Sequence, residues 1–137
     1  MKPAFSFPIR VYWEDTDAGG VVYHASYLRF LERARTEWLR ALGAGQQELR
    51  ERDDIVLVVR GMALEFHRPA RLDDELQASV TLLERRRASL QFAQQITRGD
   101  EVLVDAKVRA ACLVASSFKP RALPGWLFAD HTSPESP

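Results

Sequence analysis

The densest concentration of reactive groups is the run Glu14-Asp15-Thr16-Asp17-Ala18-Gly19-Gly20-Val21-Val22-Tyr23-His24. The Asp15 and Asp17 carboxylates, the Thr16 hydroxyl, Gly19, Gly20 and the His24 imidazole stand within eleven residues. A carboxylate in such a place can act as a general base or as a nucleophile. A helix that begins directly afterwards presents unpaired N–H groups and the positive end of its dipole. That end would polarise a carbonyl and stabilise an oxyanion. Gly19 and Gly20 let the backbone turn sharply and approach a ligand closely. The same composition also suits a plain hydrophilic turn in which Asp15 or Asp17 accepts local hydrogen bonds. A calcium loop is excluded, because the twelfth position counted from Asp15 is Ser26 and not a carboxylate.

The flanking residues supply the elements that must hold this cluster. Ile9, Val11 and Trp13 alternate with Arg10, Tyr12 and Glu14, which predicts a first strand. The Asp15–Gly20 stretch then has turn composition. Tyr27, Phe30, Leu31, Ala34, Trp38, Ala41 and Leu42 recur at helical steps. They predict an amphipathic helix of about four turns, with Ser26 as its N-cap and Gly43 at its C-terminal cap. Gln46 to Arg52 suits a short second helix. Further strands are read at Met62-Leu64-Phe66, at Leu76 to Leu82, at Leu90 to Ile96 with Gln94 interrupting, and at Val102 to Val114. Their connections are short, so neighbouring strands run antiparallel. The expected class is α+β, a single sheet with a helix on one face. The Val102–Val114 strand carries little to blunt it, so it is expected at an edge that pairs with a second copy. A homodimer or homotetramer follows.

Composition sets outer bounds. A chain of 137 residues fits one domain, expected over 1–129, with a polar and disordered tail over 130–137. Nineteen basic and nineteen acidic residues cancel, which argues against nonspecific nucleic-acid binding and favours association near neutral pH. One cysteine and three dispersed histidines offer neither a disulfide nor a metal motif. An apolar run such as Ile55 to Val59 is far too short to enter a membrane stably. No signal-peptide core is read at the start, so residence in the cytoplasm is expected.

The run from Tyr12 to Tyr27 resembles the signature of the hotdog-fold thioesterases of the 4-hydroxybenzoyl-CoA thioesterase type. It is most similar to their bacterial branch encoded beside the Tol-Pal envelope system. Three further stretches match in order: Glu32-Arg33-Ala34-Arg35-Thr36-Glu37, Pro69-Ala70-Arg71-Leu72-Asp73-Asp74, and Lys119-Pro120-Arg121-Ala122-Leu123-Pro124. The resemblance implies a long central helix wrapped by a curved antiparallel sheet of about five strands, and active sites between subunits. It implies hydrolysis of acyl-CoA thioesters, with acyl carrier protein as an alternative carrier, and no cofactor. By motif position Asp17 is the catalytic carboxylate, as general base or as nucleophile through a mixed anhydride. His24 lies at the oxyanion end of the helix. Asp15, Gly19, Gly20 and Tyr27 hold the loop and the helix start, with Tyr27 also bordering substrate.

Arg85-Arg86-Arg87, followed by Ser89, is the one local basic block. A guanidinium fork suits the phosphates of coenzyme A; a solvated turn is the alternative. Cys112 reads as a small core residue, His67 as a surface or rim residue, and Asp73 and Asp74 as turn residues. Tyr12 and Trp13 read as packing residues, and His131 lies in the tail. The competing functions are a non-catalytic acyl-thioester-binding or interaction protein on the same scaffold, and a hotdog dehydratase, which the Asp-Thr-Asp–helix layout fits poorly.

Overall fold

Ile9 and Val11 are both fully shielded from solvent, so the predicted alternation is real at this point. In the computed structural model, which describes residues 3–129, it forms β1, Phe5–Arg10. The strand ends earlier than the alternation predicts. Trp13–Asp15 is instead a single 3-10 turn, and Trp13 is 82% exposed rather than packed; Tyr12 is exposed as well. The cause is Asp15, whose Oδ2 accepts the Tyr12 N–H at 2.8 Å and curls the chain.

The elements that follow are α1 (His24–Ala41), α2 (Gln46–Asp53), β2 (Ile55–Phe66), β3 (Glu75–Arg85), β4 (Ser89–Arg98) and β5 (Glu101–Val114). The helix α1 starts before the predicted N-cap. Tyr23 occupies the capping position without a side-chain cap, and Ser26 is buried inside the first turn, accepting a hydrogen bond from Arg29 Nη2 at 2.8 Å. At the other end Gly43 takes the left-handed conformation (φ +77°) expected of a C-terminal cap.

All strand pairs are antiparallel, in the order β1-β3-β4-β5-β2. The helix α1 lies across β1, β3 and β4. Phe30, Leu31 and Ala34 face the sheet with no exposure, and Trp38 meets the Phe92 ring edge-on. Burial of this apolar face supplies the main stabilisation. Gln94, which breaks the apolar alternation of β4, is also buried there. Its Nε2 donates to Leu31 O at 3.1 Å and Ser79 O at 3.2 Å, while Arg35 Nη1 donates to its Oε1 at 2.8 Å. The polar residue therefore ties helix to sheet with its hydrogen bonds satisfied.

The topology corrects the expected edge. β5 lies inside the sheet between β4 and β2, and the open edges are β1 and β2. The N-terminal half of β2 escapes an alternation test because Ile55 to Val59 are all apolar. A bulge between Val59 and Gly61 then shifts the phase, so Ile55, Leu57 and Val59 share a face with Met62, Leu64 and Phe66. The predicted tail over 130–137, with His131, lies outside the described residues.

Candidate active site

The loop between β1 and α1 is drawn shut by backbone bonds. Asp17 N donates to Val21 O at 3.0 Å, Gly20 N to Asp17 O at 3.0 Å, and Thr16 pairs with Val22 as an isolated bridge. Gly20 adopts φ +81°, a conformation that favours glycine. Asp17 therefore sits at the tip of a small hairpin whose far leg runs into α1. Its Oδ1 accepts the Gly19 N–H at 2.8 Å, and the side chain is exposed. A Cβ on Gly19 would lie 3.1 Å from that same oxygen, so the loop favours glycine here too.

Asp15 does the opposite job. It is 4% exposed, and its backbone O accepts the Tyr23 N–H at 2.9 Å, beside its carboxylate bond to Tyr12. Arg29 Nη2 lies 3.8 Å from its Oδ1 and adds charge compensation from α1. One buried carboxylate thus joins the end of the first strand segment, the loop and the helix.

His24 opens α1, its ring 4.5 Å from that of Tyr23. Beside it is a recess of about 280 Å³ lined by Val22, His24, Tyr27, Phe66, His67, Arg68 and Pro69. Asp17 is not part of this lining; it stands at the hairpin tip outside it. Tyr27 is buried, and its hydroxyl accepts the Ala70 N–H at 3.0 Å. Burial pushes the Tyr27 hydroxyl up from its ordinary pKa, against the Ala70 N–H and the Arg98 guanidinium. Phe66 stacks tilted on Tyr27 with centroids 5.6 Å apart. The recess wall 66–70 is anchored further by Arg98, which donates to Pro69 O at 3.3 Å and pairs with Asp74 at 2.7 Å. Burial would raise the Asp74 carboxyl, but the Arg71 N–H and Arg98 outweigh it and hold it below the usual carboxylate range. Asp74 is thus an anchor of the wall, and Asp73, at φ +71°, forms the turn.

The basic block divides. Arg85 turns inward: its Nε donates to Leu127 O at 2.8 Å and its Nη2 to Pro124 O at 2.9 Å, so it secures the C-terminal segment. Arg87 is exposed at the hairpin. Arg86, ion-paired with Glu84, and Ser89 line a cavity of about 350 Å³ together with Arg60, Gln91 and Arg109. Phe92 packs under α1, so this cavity lies on the sheet's opposite face. Arg60 and Arg109 were not singled out from the sequence. The one available signal was Gly61 inside a strand, which marks a bulge and close approach. A Cβ there would meet Arg109 Nη2 at 2.6 Å. Among the described residues neither Arg60 nor Arg109 forms an ion pair. A wider groove of about 450 Å³ crosses the same outer face over Ala63, Ser79, Thr81 and Ala93, away from the start of α1.

Cys112 is buried, and that burial pushes its thiol pKa up, which suits a core residue and not a nucleophile. No three His, Cys, Asp or Glu side chains among the described residues are grouped to hold a metal ion. No helix among them is long and apolar enough to cross a membrane.

The chain has relatives among known proteins. The family model of the thioesterase-like superfamily matches residues 11–129. The chain belongs to that superfamily. It is 48% identical over 124 residues to the acyl-CoA thioesterase YbgC of Haemophilus influenzae, covering 90% of this chain and 91% of that protein. It is 47% identical over 127 residues to the acyl-CoA thioester hydrolase YbgC of Escherichia coli O157:H7, covering 92% and 94% respectively. The crystal structure of a probable thioesterase from Bartonella henselae superposes with a TM-score of 0.83 at 42% identity, over 88% of this chain and 100% of that one. As a thioesterase-like protein the chain has the hotdog arrangement expected from its motifs, an α+β fold with five antiparallel strands around a long helix.

The bond between Tyr27 and Ala70 is testable. Tyr27→Phe leaves the Ala70 N–H without a partner inside the fold. Unfolding stability should fall by about 1–3 kcal/mol, read by urea denaturation.

Proposed function

We propose that the protein hydrolyses acyl-CoA thioesters to free acid and coenzyme A, with Asp17 as the carboxylate that attacks or activates water. The observation that carries this reading is the hairpin that presents Asp17 one short turn before the uncapped start of α1. At that helix end the His24 N–H is the donor offered to the thioester oxygen, where backbone dipoles favour developing negative charge. Asp17 then either removes a proton from water as it adds to the carbonyl carbon, or adds itself to form a mixed anhydride that water cleaves. In both routes the carbon–sulfur bond breaks and sulfur leaves as a thiolate. Thiolates leave readily, so these groups suffice for the chemistry.

Asp17→Asn keeps the shape and still accepts the Gly19 N–H, but it removes the base. Turnover measured by thiol release should fall by several powers of ten with unchanged thermal unfolding. Retained turnover would remove Asp17 from its role. Single turnovers in heavy-oxygen water distinguish the routes, since label in the Asp17 carboxyl marks the anhydride. The non-catalytic binding reading predicts no thiol release from any acyl ester by the unaltered protein.

The cavity beyond the sheet is the proposed seat of the coenzyme A phosphates. Arg60, Arg86 and Arg109 converge there with Ser89, and planar guanidinium groups suit phosphate oxygens. Arg85 and Arg87 are left out of this seat. Replacing Arg60 and Arg109 by Ala should raise the KM for a coenzyme A ester roughly fivefold or more, while leaving that of the matching pantetheine ester unchanged. Equal effects on the two esters would rule the phosphate role out. An acyl carrier protein, which lacks the nucleotide, remains the alternative carrier and would be read in the same assay.

The proposed working form is a homodimer joined along β2, with a homotetramer as a pair of such dimers. β2 is a long open edge, and its apolar face carries Val59, 45% exposed, and a half-exposed Phe66. Such an edge invites pairing with a second strand. Two copies of β2 paired antiparallel about a two-fold set the His67 end of one beside the Ile55 end of the other. That would build a wall over the recess and the exposed Asp17. Val59→Lys should shift the protein toward monomer in sedimentation and lower activity in proportion; unchanged association would refute the β2 contact. The Tol-Pal connection is carried by the motif resemblance; cytoplasmic residence is proposed separately from it.

A further inference from the structure

The recess beside α1 offers a ligand carbon surface and little else. Val22, Tyr27, Phe66 and Pro69 make up most of its lining. Its polar members are largely engaged. The Tyr27 hydroxyl accepts the Ala70 N–H at 3.0 Å, Arg68 pairs with Glu101 at 3.4 Å, and the His67 ring is drawn to Asp105, a residue of the outer-face groove. His24 remains, at the helix end assigned above to the thioester oxygen. An amide or a charge desolvated here would find few partners, whereas a hydrocarbon needs none. A thioester whose carbonyl meets the start of α1 brings its neighbouring carbons to this lining.

The walls differ in how firmly they are set. Val22 and Tyr27 are core residues, 4% and 3% exposed. The Val22 N–H is held by Ala70 O at 2.9 Å, and the Tyr27 ring meets Phe30 edge-on with centroids 6.1 Å apart. Phe66 is the last residue of β2 and stays 52% exposed, its ring leaning on Tyr27 at 5.6 Å. An aromatic ring of that kind carries a large apolar surface to the rim. Leu64 and Met62 follow on the same face of β2, partly buried against the core. The lining takes in Phe66 but neither of these two, so the ring forms its boundary on the β2 side. At about 280 Å³ the recess falls just below the usual range for ligand pockets, roughly 300–1,000 Å³, so the space of one ring decides what fits.

We propose that the recess holds the acyl group of the thioester and that the Phe66 ring is the stop that sets the chain length it accepts. The proposal rests on the hydrolase reading and adds a specificity-determining residue to it. Chains that end short of the ring gain apolar contact with each methylene. Longer ones have to displace it. Removing the ring joins the recess to the apolar strip of Leu64 and Met62.

The test measures kcat/KM over straight-chain coenzyme A esters from acetyl to palmitoyl. The unaltered protein should show a maximum and then a decline. Phe66→Ala should move the maximum to longer chains and raise the ratio of long to short esters by roughly tenfold or more, the usual worth of a methylene in an apolar pocket. Phe66→Leu should move it less in the same direction, and Phe66→Trp should move it to shorter chains. The same displacement is expected with pantetheine esters, since the nucleotide lies elsewhere. If Phe66 served only folding or the pairing of copies, or if the recess held the carrier arm, every ester would change alike. A profile of unmoved shape therefore overturns the proposal. Absence of hydrolysis of every ester by the unaltered protein overturns the hydrolase reading instead. Should the Ala variant fail to fold, the opposite displacements expected of Leu and Trp decide.

Discussion

The buried carboxylate of Asp15 is the constraint on which the site depends. It has to be satisfied where water cannot reach it, and the groups that satisfy it come from both sides of the loop: the Tyr12 N–H before it and the Arg29 guanidinium after it. Its own backbone oxygen accepts the Tyr23 N–H. An unpaired buried carboxylate is so costly that these groups cannot drift apart cheaply. The strand end, the hairpin and the first turn of α1 are therefore fixed relative to one another. Asp17, two residues on, inherits that position while staying in solvent. The pair divides its labour by environment: one acid is desolvated and structural, the other exposed and free to react.

The opposite wall is held by the same logic applied residue by residue. Phe66 stacks on Tyr27, Arg68 pairs with Glu101, Pro69 O accepts from Arg98, and Ala70 N donates to Tyr27. Val22 N donates to Ala70 O, which closes the ring between this wall and the hairpin. Each bond is worth little alone, yet the wall is a loop that would otherwise be mobile. Rigidity here is spread over many contacts from α1, β4 and β5, so the recess moves only if the sheet and helix move.

Most of the architecture was legible because the physical signals were periodic. The helical spacing from Tyr27 to Leu42 and the alternation in β3 and β5 each report a one-sided burial that the chain must achieve. What escaped was aperiodic. Trp13 continued the alternation on paper, but a side-chain hydrogen bond three residues long overrode it. Ile55 to Val59 carried no alternation, and the bulge at Arg60 changed the phase of the strand. The edge was misassigned for a related reason: strand order is set by pairing partners far apart in sequence, which local pattern does not encode. At the site, the Asp15–His24 cluster could be found because its residues are adjacent. Arg60 and Arg109 could not, because they meet only after β2 and β5 pair, and the block Arg85-Arg86-Arg87 looked uniform until the fold sent its members in different directions.

That separation has a consequence for how the sheet serves the chemistry. The uncapped start of α1 lies on the inner face, whereas the arginine cavity lies on the outer face, so a single ligand reaching both must pass around an edge. Arg60 belongs to β2, the open edge of the sheet, and Phe66 of the recess wall belongs to the same strand. The edge strand is thus the common border of the two regions. Leaving it unblunted costs the chain protection against association, a liability most sheets avoid. If β2 borders the substrate path and accepts a second copy, as proposed above, capping it by charge or proline would lose one of those uses. On this reading the exposed apolar edge and the distance between the two halves of the site are one feature of the fold.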